Sequence, residues 1–134
     1  MPVTVNWDNE EKTIIRYDII EPWTWDEMWV ALEKDDELID SIDHIVHLLF
    51  NGEAIKVFPG NPIGHLRMFA SKTRQPLGLI VIVGPNVWIH TIVSLFSKLL
   101  PRRAKGMEGI LSARTVEEGR ALIEAHRKKA DTTP

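Results

Sequence analysis

Histidines are the side chains in this sequence best suited to chemistry, because imidazole can bind a metal or transfer a proton near neutral pH. There are five of them, His44, His47, His65, His90 and His126. His44 and His47 are three residues apart on a predicted strand, so they face opposite sides of a sheet. The HExxH motif and the spacing of two histidines with one carboxylate are both missing. We therefore predict structural or surface roles for the histidines, and neither a metal nor another cofactor.

Signals for a nucleophile or a phosphate site are also weak. With no cysteine, the chain has no thiol nucleophile and no thiolate metal site. None of its five serines lies in a GxSxG elbow, and the P-loop and GxGxxG glycine motifs are absent from the sequence. Gly84-Pro85-Asn86 opens a predicted helix whose N–H groups could meet a nucleotide phosphate, but a plain helix start is the commoner case. The sequence therefore favours a protein that is not an enzyme.

The charge pattern gives no signal for a nucleic-acid partner. The net charge is -3 and the pI is about 5.9, so no global positive field would gather nucleic acid or an anionic membrane. The run Lys34–Glu37 is typical of a solvated helix end. Lys98, Arg102, Arg103 and Lys105 form a local basic patch that could meet an acidic partner, although an exposed loop is the commoner case.

Three tryptophans, Trp23, Trp25 and Trp29, cluster near the start of the first predicted helix. Trp25, Met28, Trp29 and Leu32 recur at i, i+3, i+4 and i+7, which predicts one apolar face packed on the sheet. Indoles on such a face most often fill a core. The alternative is a cleft between this helix and the sheet, lined by Trp25 and Trp29, that binds a small molecule or a lipid.

A later predicted helix, Asn86–Leu100, is apolar around more of its circumference than a surface helix needs. Trp88, Ile92 and Phe96 belong to this apolar set. A second copy of the chain or a partner protein is the simplest cover for it. Burial within the domain and contact with a membrane surface are the alternatives. We predict a contact surface on this helix, with a homodimer as its simplest form.

The chain is predicted to open with a β-hairpin of Val3–Trp7 and Lys12–Ile20, joined by a polar turn. Two helices should start at capping boxes, Thr24 with Glu27 and Thr115 with Glu118. Further strands are predicted at His44–Phe50, Leu77–Val83 and Glu108–Ser112, and further helices from Asn61 and Asn86. The order is β-β-α-β-α-β-α-β-α, which predicts an α/β domain with a mixed, mostly parallel sheet of about five strands and about four helices.

One domain over residues 1–129, followed by a polar tail at 130–134, is the simplest division of the 134 residues. The uncharged run Leu77–Ser97 is long enough to span a bilayer. Gly84-Pro85-Asn86 interrupts it, so we expect strand, turn and helix and no transmembrane span. We expect no signal peptide, and the lack of cysteine fits a reducing compartment. These features predict a cytoplasmic protein.

The order of elements, the capped helix WTWDEM at Trp23–Met28 and the closing helix TVEEGRALIEA at Thr115–Ala125 together resemble the STAS domain. That is the fold of bacterial anti-sigma-factor antagonists and of the cytoplasmic tails of sulfate transporters, and the resemblance spans roughly Val3 to Arg127. In that family, a partner kinase phosphorylates a serine in the loop before the second helix, which turns binding off. The corresponding stretch here, Phe58–Gly64, has no serine or threonine. The resemblance therefore implies the scaffold without the phosphorylation switch.

We predict from this resemblance a protein-interaction or regulatory module of STAS-like type, independent of phosphorylation, in a bacterial cytoplasm. The predicted partner-contacting residues are Asn51, Phe58, Gly60 and Asn61 in the loop after the third strand, and Trp88, Ile92 and Phe96 on the apolar helix. The small-molecule or lipid site at Trp25 and Trp29 is the alternative function.

Overall fold

The computed structural model describes residues 2–56, 60–61, 64–65, 68, 77–84, 90–91, 93–94, 98 and 109–132. The strands are β1 (Val3–Trp7), β2 (Ile14–Ile19), β3 (Val46–Asn51), β4 (Leu77–Val83) and β5 (Gly109–Ala113). The helices are α1 (Trp25–Asp40) and α2 (Val116–Thr132). Residues 64–65 and 68, and residues 90–91, 93–94 and 98, are also helical.

The five strands form one mixed sheet in the order β1-β2-β3-β4-β5. β1 pairs antiparallel with β2, with Val5 opposite Tyr17, and β2 to β5 pair in parallel. Strands that follow one another in the chain are therefore neighbours in the sheet. The predicted α/β class, the opening hairpin and the mixed, mostly parallel sheet are confirmed.

The predicted order contains four helices, of which the first and last correspond to α1 and α2. Most residues of the helices predicted from Asn61 and from Asn86 lie outside the described part of the chain. The first third of the uncharged run Leu77–Ser97 is strand β4, as predicted. Within the ranges given above, no helix is both long enough and apolar enough to cross a membrane.

Both helices begin at side-chain caps that the sequence predicted. Oγ1 of Thr24 accepts a hydrogen bond from the N–H of Glu27 at 3.2 Å, and Oε1 of Glu27 accepts one from the N–H of Thr24 at 2.9 Å. These two bonds complete the first capping box. At α2, the N–H of Glu118 donates to Oγ1 of Thr115 at 3.1 Å, while Oε2 of Glu118 accepts from the N–H of Arg114 at 3.3 Å. The hydroxyl half of the second box is therefore present.

Side chains of the sheet divide between two apolar clusters, one on each face. Because side chains alternate along a strand, sequence neighbours lie on opposite faces. Ile15 and Leu48 belong to the cluster on which α1 packs, and Ile14 and Leu49 belong to the cluster on which α2 packs. Ile123 of α2 is fully buried in the second cluster. The two helices therefore cover opposite faces of the sheet.

The stripe that α1 presents to the sheet differs from the predicted one. The buried residues of α1 are Met28, Ala31, Asp35 and Ile39. Their spacing of three, four and four residues marks a single helical face. Trp29 and Leu32 are only half-buried, so they lie on the flank of this face. The prediction that Trp25, Met28, Trp29 and Leu32 form the sheet-facing stripe is therefore confirmed at Met28 and at Trp25, which packs against the same cluster, and was wrong at Trp29 and Leu32.

A buried carboxylate ties the opening hairpin to α2. The side chain of Asp8 is only 2% exposed, and its Oδ1 accepts from Nη1 of Arg16 at 2.7 Å. Asp8 also accepts from Nε and Nη2 of Arg120 at 2.8 and 2.7 Å. These hydrogen bonds to Asp8 raise the pKa of the Arg120 guanidinium. The three side chains therefore form a charge-assisted link between two distant segments of the chain.

Replacing Arg120 by Gln is expected to lower the free energy of unfolding by roughly 1 kcal/mol, because Asp8 then stays buried with one guanidinium. The 40% exposure of Arg120 keeps the loss small. Arg127→Gln is the matched control, since Arg127 pairs with the exposed Glu124 of the same helix and should cost less than about 0.5 kcal/mol. Urea unfolding followed by circular dichroism compares the two variants. Equal losses would contradict the role of the buried Asp8.

Candidate functional site

An aromatic cluster lies where α1 begins. Trp25 stacks on His65 with ring centroids 4.6 Å apart and an angle of 11° between the planes, and Trp23 meets Trp25 edge to face at 4.8 Å. Nε1–H of Trp29 donates a hydrogen bond to Nδ1 of His65 at 3.1 Å. Because Nδ1 accepts this bond, the proton of a neutral His65 ring lies on Nε2. Two indoles therefore hold His65 in one orientation and one tautomer.

Asn61 positions His65 against this cluster. Oδ1 of Asn61 accepts from the N–H of Gly64 at 3.3 Å, and its carbonyl oxygen accepts from the N–H of His65 at 3.2 Å. Asn61 has a φ of 60°, in the left-handed region that asparagine tolerates better than most residues. A Cβ at Gly64 would lie 2.5 Å from Nδ2 of Asn61, so this cap requires glycine there. The predicted Asn61 cap is confirmed.

A groove opens beside the aromatic cluster, on the flank of α1. Its volume is about 250 Å³, and the residues that line it are Trp29, Leu32, Glu33, Asp36 and Met68. The four α1 residues recur at i, i+3, i+4 and i+7, so they form one stripe along the helix. Met68 is 46% exposed. The groove therefore presents apolar side chains and two carboxylates to solvent.

The carboxyl group of Asp35 is buried between α1 and the sheet. Asp35 is only 2% exposed, and its Oδ2 accepts a hydrogen bond from the hydroxyl of the fully buried Tyr17. Oδ1 has no hydrogen-bond partner among the residues that the structure describes. The pKa of Asp35 is raised to about 7, mainly because the carboxyl group is buried. The hydrogen bond from Tyr17 lowers this pKa, and the charge of Asp36 raises it. Burial, and then the charge of Asp35, also raise the pKa of Tyr17.

This pair corrects the prediction that Lys34–Glu37 forms a solvated helix end. The prediction was wrong at Asp35, although Lys34 and Glu37 are exposed. A carboxyl group with a pKa near neutrality can exchange a proton, but Asp35 lies beneath α1, where a substrate does not reach it. We therefore assign the Tyr17–Asp35 pair to stability.

No protein-family model, curated protein or solved structure matches this chain. Two arrangements bear on the function of the protein, the aromatic cluster and the groove on the flank of α1. The groove is open to solvent on the side of Met68.

The residues predicted to contact a partner fall into two groups. Asn51 ends β3, where its Nδ2 donates to Oδ1 of Asp18 at 2.9 Å and its Oδ1 accepts from the N–H of Glu53 at 3.3 Å. Gly60 and Asn61 are exposed. The remaining four, Phe58, Trp88, Ile92 and Phe96, lie outside the described residues. Partner contact by both groups stays a prediction.

Besides His65, three histidines make contacts that belong to the fold. Nδ1 of the buried His47 on β3 accepts from the N–H of Leu79 at 2.9 Å, and its ring meets that of His126 at a centroid distance of 6.0 Å. Nε2 of His44 lies 2.7 Å from the carbonyl oxygen of Lys12. Across the described ranges, no group of three or more histidine or carboxylate side chains could hold a metal ion.

Ser112 has a histidine neighbour that the sequence did not reveal. Its Oγ lies 2.9 Å from Nδ1 of His90. Nucleophilic catalysis would also need a group that orients the histidine and donors that stabilise an oxyanion. No carboxylate in the described part of the chain is hydrogen-bonded to His90. The pair therefore lacks the remaining parts of a hydrolytic site among the described residues.

Sequence reasoning missed Asp35, His65 and Met68. Asp35 had a signal, because it lies four residues after Ala31 and four before Ile39 and so interrupts an apolar face. His65 and Met68 had none, since their contacts with α1 join segments that are more than thirty residues apart. The groove could therefore be recognised only in the folded protein.

Proposed function

We propose that this protein is a non-catalytic protein-interaction or regulatory module of STAS-like type that docks a partner in the groove beside α1. The observation that carries this proposal is the open groove, in which Trp29, Leu32 and Met68 form apolar surface beside carboxylates. Apolar surface rimmed by polar groups is typical of grooves that bind a segment of another protein. A partner side chain placed there would remove this surface from water.

The volume of the groove favours a protein partner over the alternative of a small molecule or lipid. About 250 Å³ is below the roughly 300–1,000 Å³ of sites that enclose a drug-sized ligand. Met68 also leaves one side of the groove in contact with water. Trp25, the second tryptophan of the predicted ligand cleft, already stacks on His65. The groove therefore fits one or two side chains of a partner better than an enclosed ligand.

The STAS-like part of the proposal rests on the resemblance of the sequence. The capped helix after the opening hairpin and the closing helix are the elements that carry this resemblance. Because Phe58–Gly64 contains no hydroxyl side chain, the proposed module works without phosphorylation in this loop. The exposed Gly60 and Asn61 would then contribute by shape. The apolar helix with Trp88, Ile92 and Phe96 is proposed as a second contact surface, with a homodimer as its simplest form.

Met68→Gln is expected to weaken peptide binding about tenfold. Peptides of about 16 residues, long enough for an amphipathic helix, would be selected from a random displayed library with the wild-type protein as bait. Glutamine keeps the length of the methionine side chain and makes its end polar. Leu111→Gln is the matched control, because Leu111 is 41% exposed and lies on the outer strand β5. Fluorescence anisotropy gives the Kd of each selected peptide for the three proteins.

Two results would contradict the proposal at different levels. If the selection enriches no peptide over the bare support, the protein is not a peptide-docking module. If selected peptides bind the Met68 and Leu111 variants equally well, the docking surface lies outside the groove.

A further inference from the structure

The outer face of α1 carries an unusual concentration of negative charge. The acidic residues of this helix are Asp26, Glu27, Glu33, Asp35, Asp36, Glu37 and Asp40, against one basic residue, Lys34. Asp26, Glu33, Glu37 and Asp40 are exposed and recur at i, i+7, i+11 and i+14, so they form one stripe. We call these four residues the acidic stripe. It runs beside the groove, because Glu33 belongs to both.

This charge distribution is unfavourable for the helix itself. Glu33 and Glu37 are like charges at i and i+4, which repel each other. The negative end of the helix dipole lies at the last turn, where a basic residue would be favourable and none is present. No ion pair to Asp26, Glu33 or Glu37 occurs among the described residues. Departures from local electrostatic preference of this kind are expected at functional surfaces.

We propose that the occupant of the groove is a basic amphipathic segment of a partner protein. An apolar side chain of the segment enters between Trp29, Leu32 and Met68, and its Lys or Arg side chains meet the acidic stripe. This inference rests on the proposed docking function and adds the charge of the partner. Electrostatic complementarity of this kind selects partners and speeds their association.

The length of the acidic stripe distinguishes a protein segment from a small cationic ligand. From Asp26 to Asp40 the helix advances by about 21 Å, at roughly 1.5 Å per residue. A single amine or guanidinium group contacts one or two carboxylates, whereas a segment of about four helical turns matches the whole stripe. The stripe also repels the phosphates of nucleic acids and of anionic lipids. A basic protein segment is therefore the occupant that fits both charge and length.

The test compares two double variants that change the net charge equally. Glu33→Lys/Glu37→Lys reverses two of the four charges in the stripe, and Glu10→Lys/Glu11→Lys reverses the charges of two exposed carboxylates in the turn between β1 and β2. We expect the library selection to enrich peptides rich in Lys and Arg with apolar residues at helical spacing. The stripe variant should bind these peptides at least about tenfold more weakly than the wild type, and the turn variant less than about threefold more weakly. Raising the ionic strength should weaken wild-type binding in the same direction.

The outcomes separate this inference from the proposed function. Selected peptides that need Met68 but are neutral or acidic would overturn the inference and leave the docking function standing. Equal losses in the stripe and turn variants would overturn it as well, because the effect would then come from net charge alone. If octylamine binds where no peptide does, and this binding depends on Glu33 and Glu37, the surface binds small cations. That result would overturn the proposal of a protein partner.

Discussion

Replacing Asp35 by Asn is expected to remove most of the decrease in stability that we expect of the wild-type protein between about pH 4 and about pH 7. Burial raises the pKa of Asp35 from 3.8 to about 7 in the folded state. The folded protein therefore holds this proton more tightly than the unfolded chain does. The stabilisation is fully present below pH 3.8 and is lost as the pH rises through about 7. At most, the difference amounts to roughly 4 kcal/mol, because one pKa unit corresponds to about 1.4 kcal/mol.

Urea unfolding at several pH values, followed by circular dichroism, measures this effect. Asparagine has nearly the same shape as the protonated carboxyl group and can accept the hydrogen bond from Tyr17, but it does not titrate. Asp36→Asn is the matched control on the neighbouring residue. The charge of Asp36 raises the pKa of Asp35, so this control should slightly narrow the pH range over which stability falls. Within that range, the free energy of unfolding should fall with pH as steeply as in the wild type. If the free energy of unfolding of Asp35→Asn falls with pH as steeply as that of the wild type, Asp35 is not the group responsible.

Tyr17→Phe tests the same pair from its other side. The Tyr17 hydrogen bond lowers the pKa of Asp35, so its loss should raise that pKa further. The decrease in stability should then extend to a higher pH than in the wild type. If stability decreases over the same pH range as in the wild type, the hydroxyl of Tyr17 has no influence on the pKa of Asp35.

Gly78→Ala is expected to lower the free energy of unfolding by about 2 to 3 kcal/mol, the range of an overpacked core. A Cβ at this position would lie 2.5 Å from Cε1 of His47 and closer still to Nδ1. The His47 ring is buried, and its Nδ1 accepts from the N–H of Leu79. The ring must therefore move and lose this hydrogen bond, which leaves the buried N–H of Leu79 without its acceptor.

A double-mutant cycle with His47→Ala shows whether His47 is the cause. In the His47→Ala background, Gly78→Ala should cost less than about 1 kcal/mol, since the atoms it would meet are gone. Cγ2 of Ile45 remains 2.9 Å away, but Ile45 is exposed and can turn aside. Gly60→Ala is the control, because an added Cβ there has no atom within 4 Å. Additive losses in the cycle would assign the requirement for glycine to the backbone.

The elements that the sequence predicted well are those specified by neighbouring residues. Leu77–Val83 is a strand over the predicted range, because a run of β-branched and leucine residues fits a strand covered on both faces. The hydroxyl caps at Thr24 and Thr115 and the Asn61 cap also involve residues only three apart. In each case a side chain satisfies a backbone N–H close to it in the chain, so the pattern is visible without the fold.

Local sequence patterns did not show which side of α1 faces the sheet. The large apolar side chains of Trp25, Met28, Trp29 and Leu32 predicted the buried face, and the charged run Lys34–Glu37 predicted a solvated helix end. The structure buries Ala31 and Asp35, and Tyr17 supplies a hydrogen-bond partner for the carboxyl group. This partner lies 18 residues away in the chain. Trp29, on the flank of the buried face, contacts His65 together with Trp25 in the aromatic cluster.

The sequence by itself determined the opening hairpin, the mostly parallel sheet implied by alternating strands and helices, and the starts of α1 and α2, because local hydrogen bonds and side-chain periodicity specify them. Only the tertiary structure decided which side of α1 meets the sheet, which carboxyl group is buried, and where Met68 completes a groove. These outcomes depend on contacts such as that of Trp29 with His65, across 36 residues. The energies of such contacts arise when the segments pack together, so no local pattern encodes them.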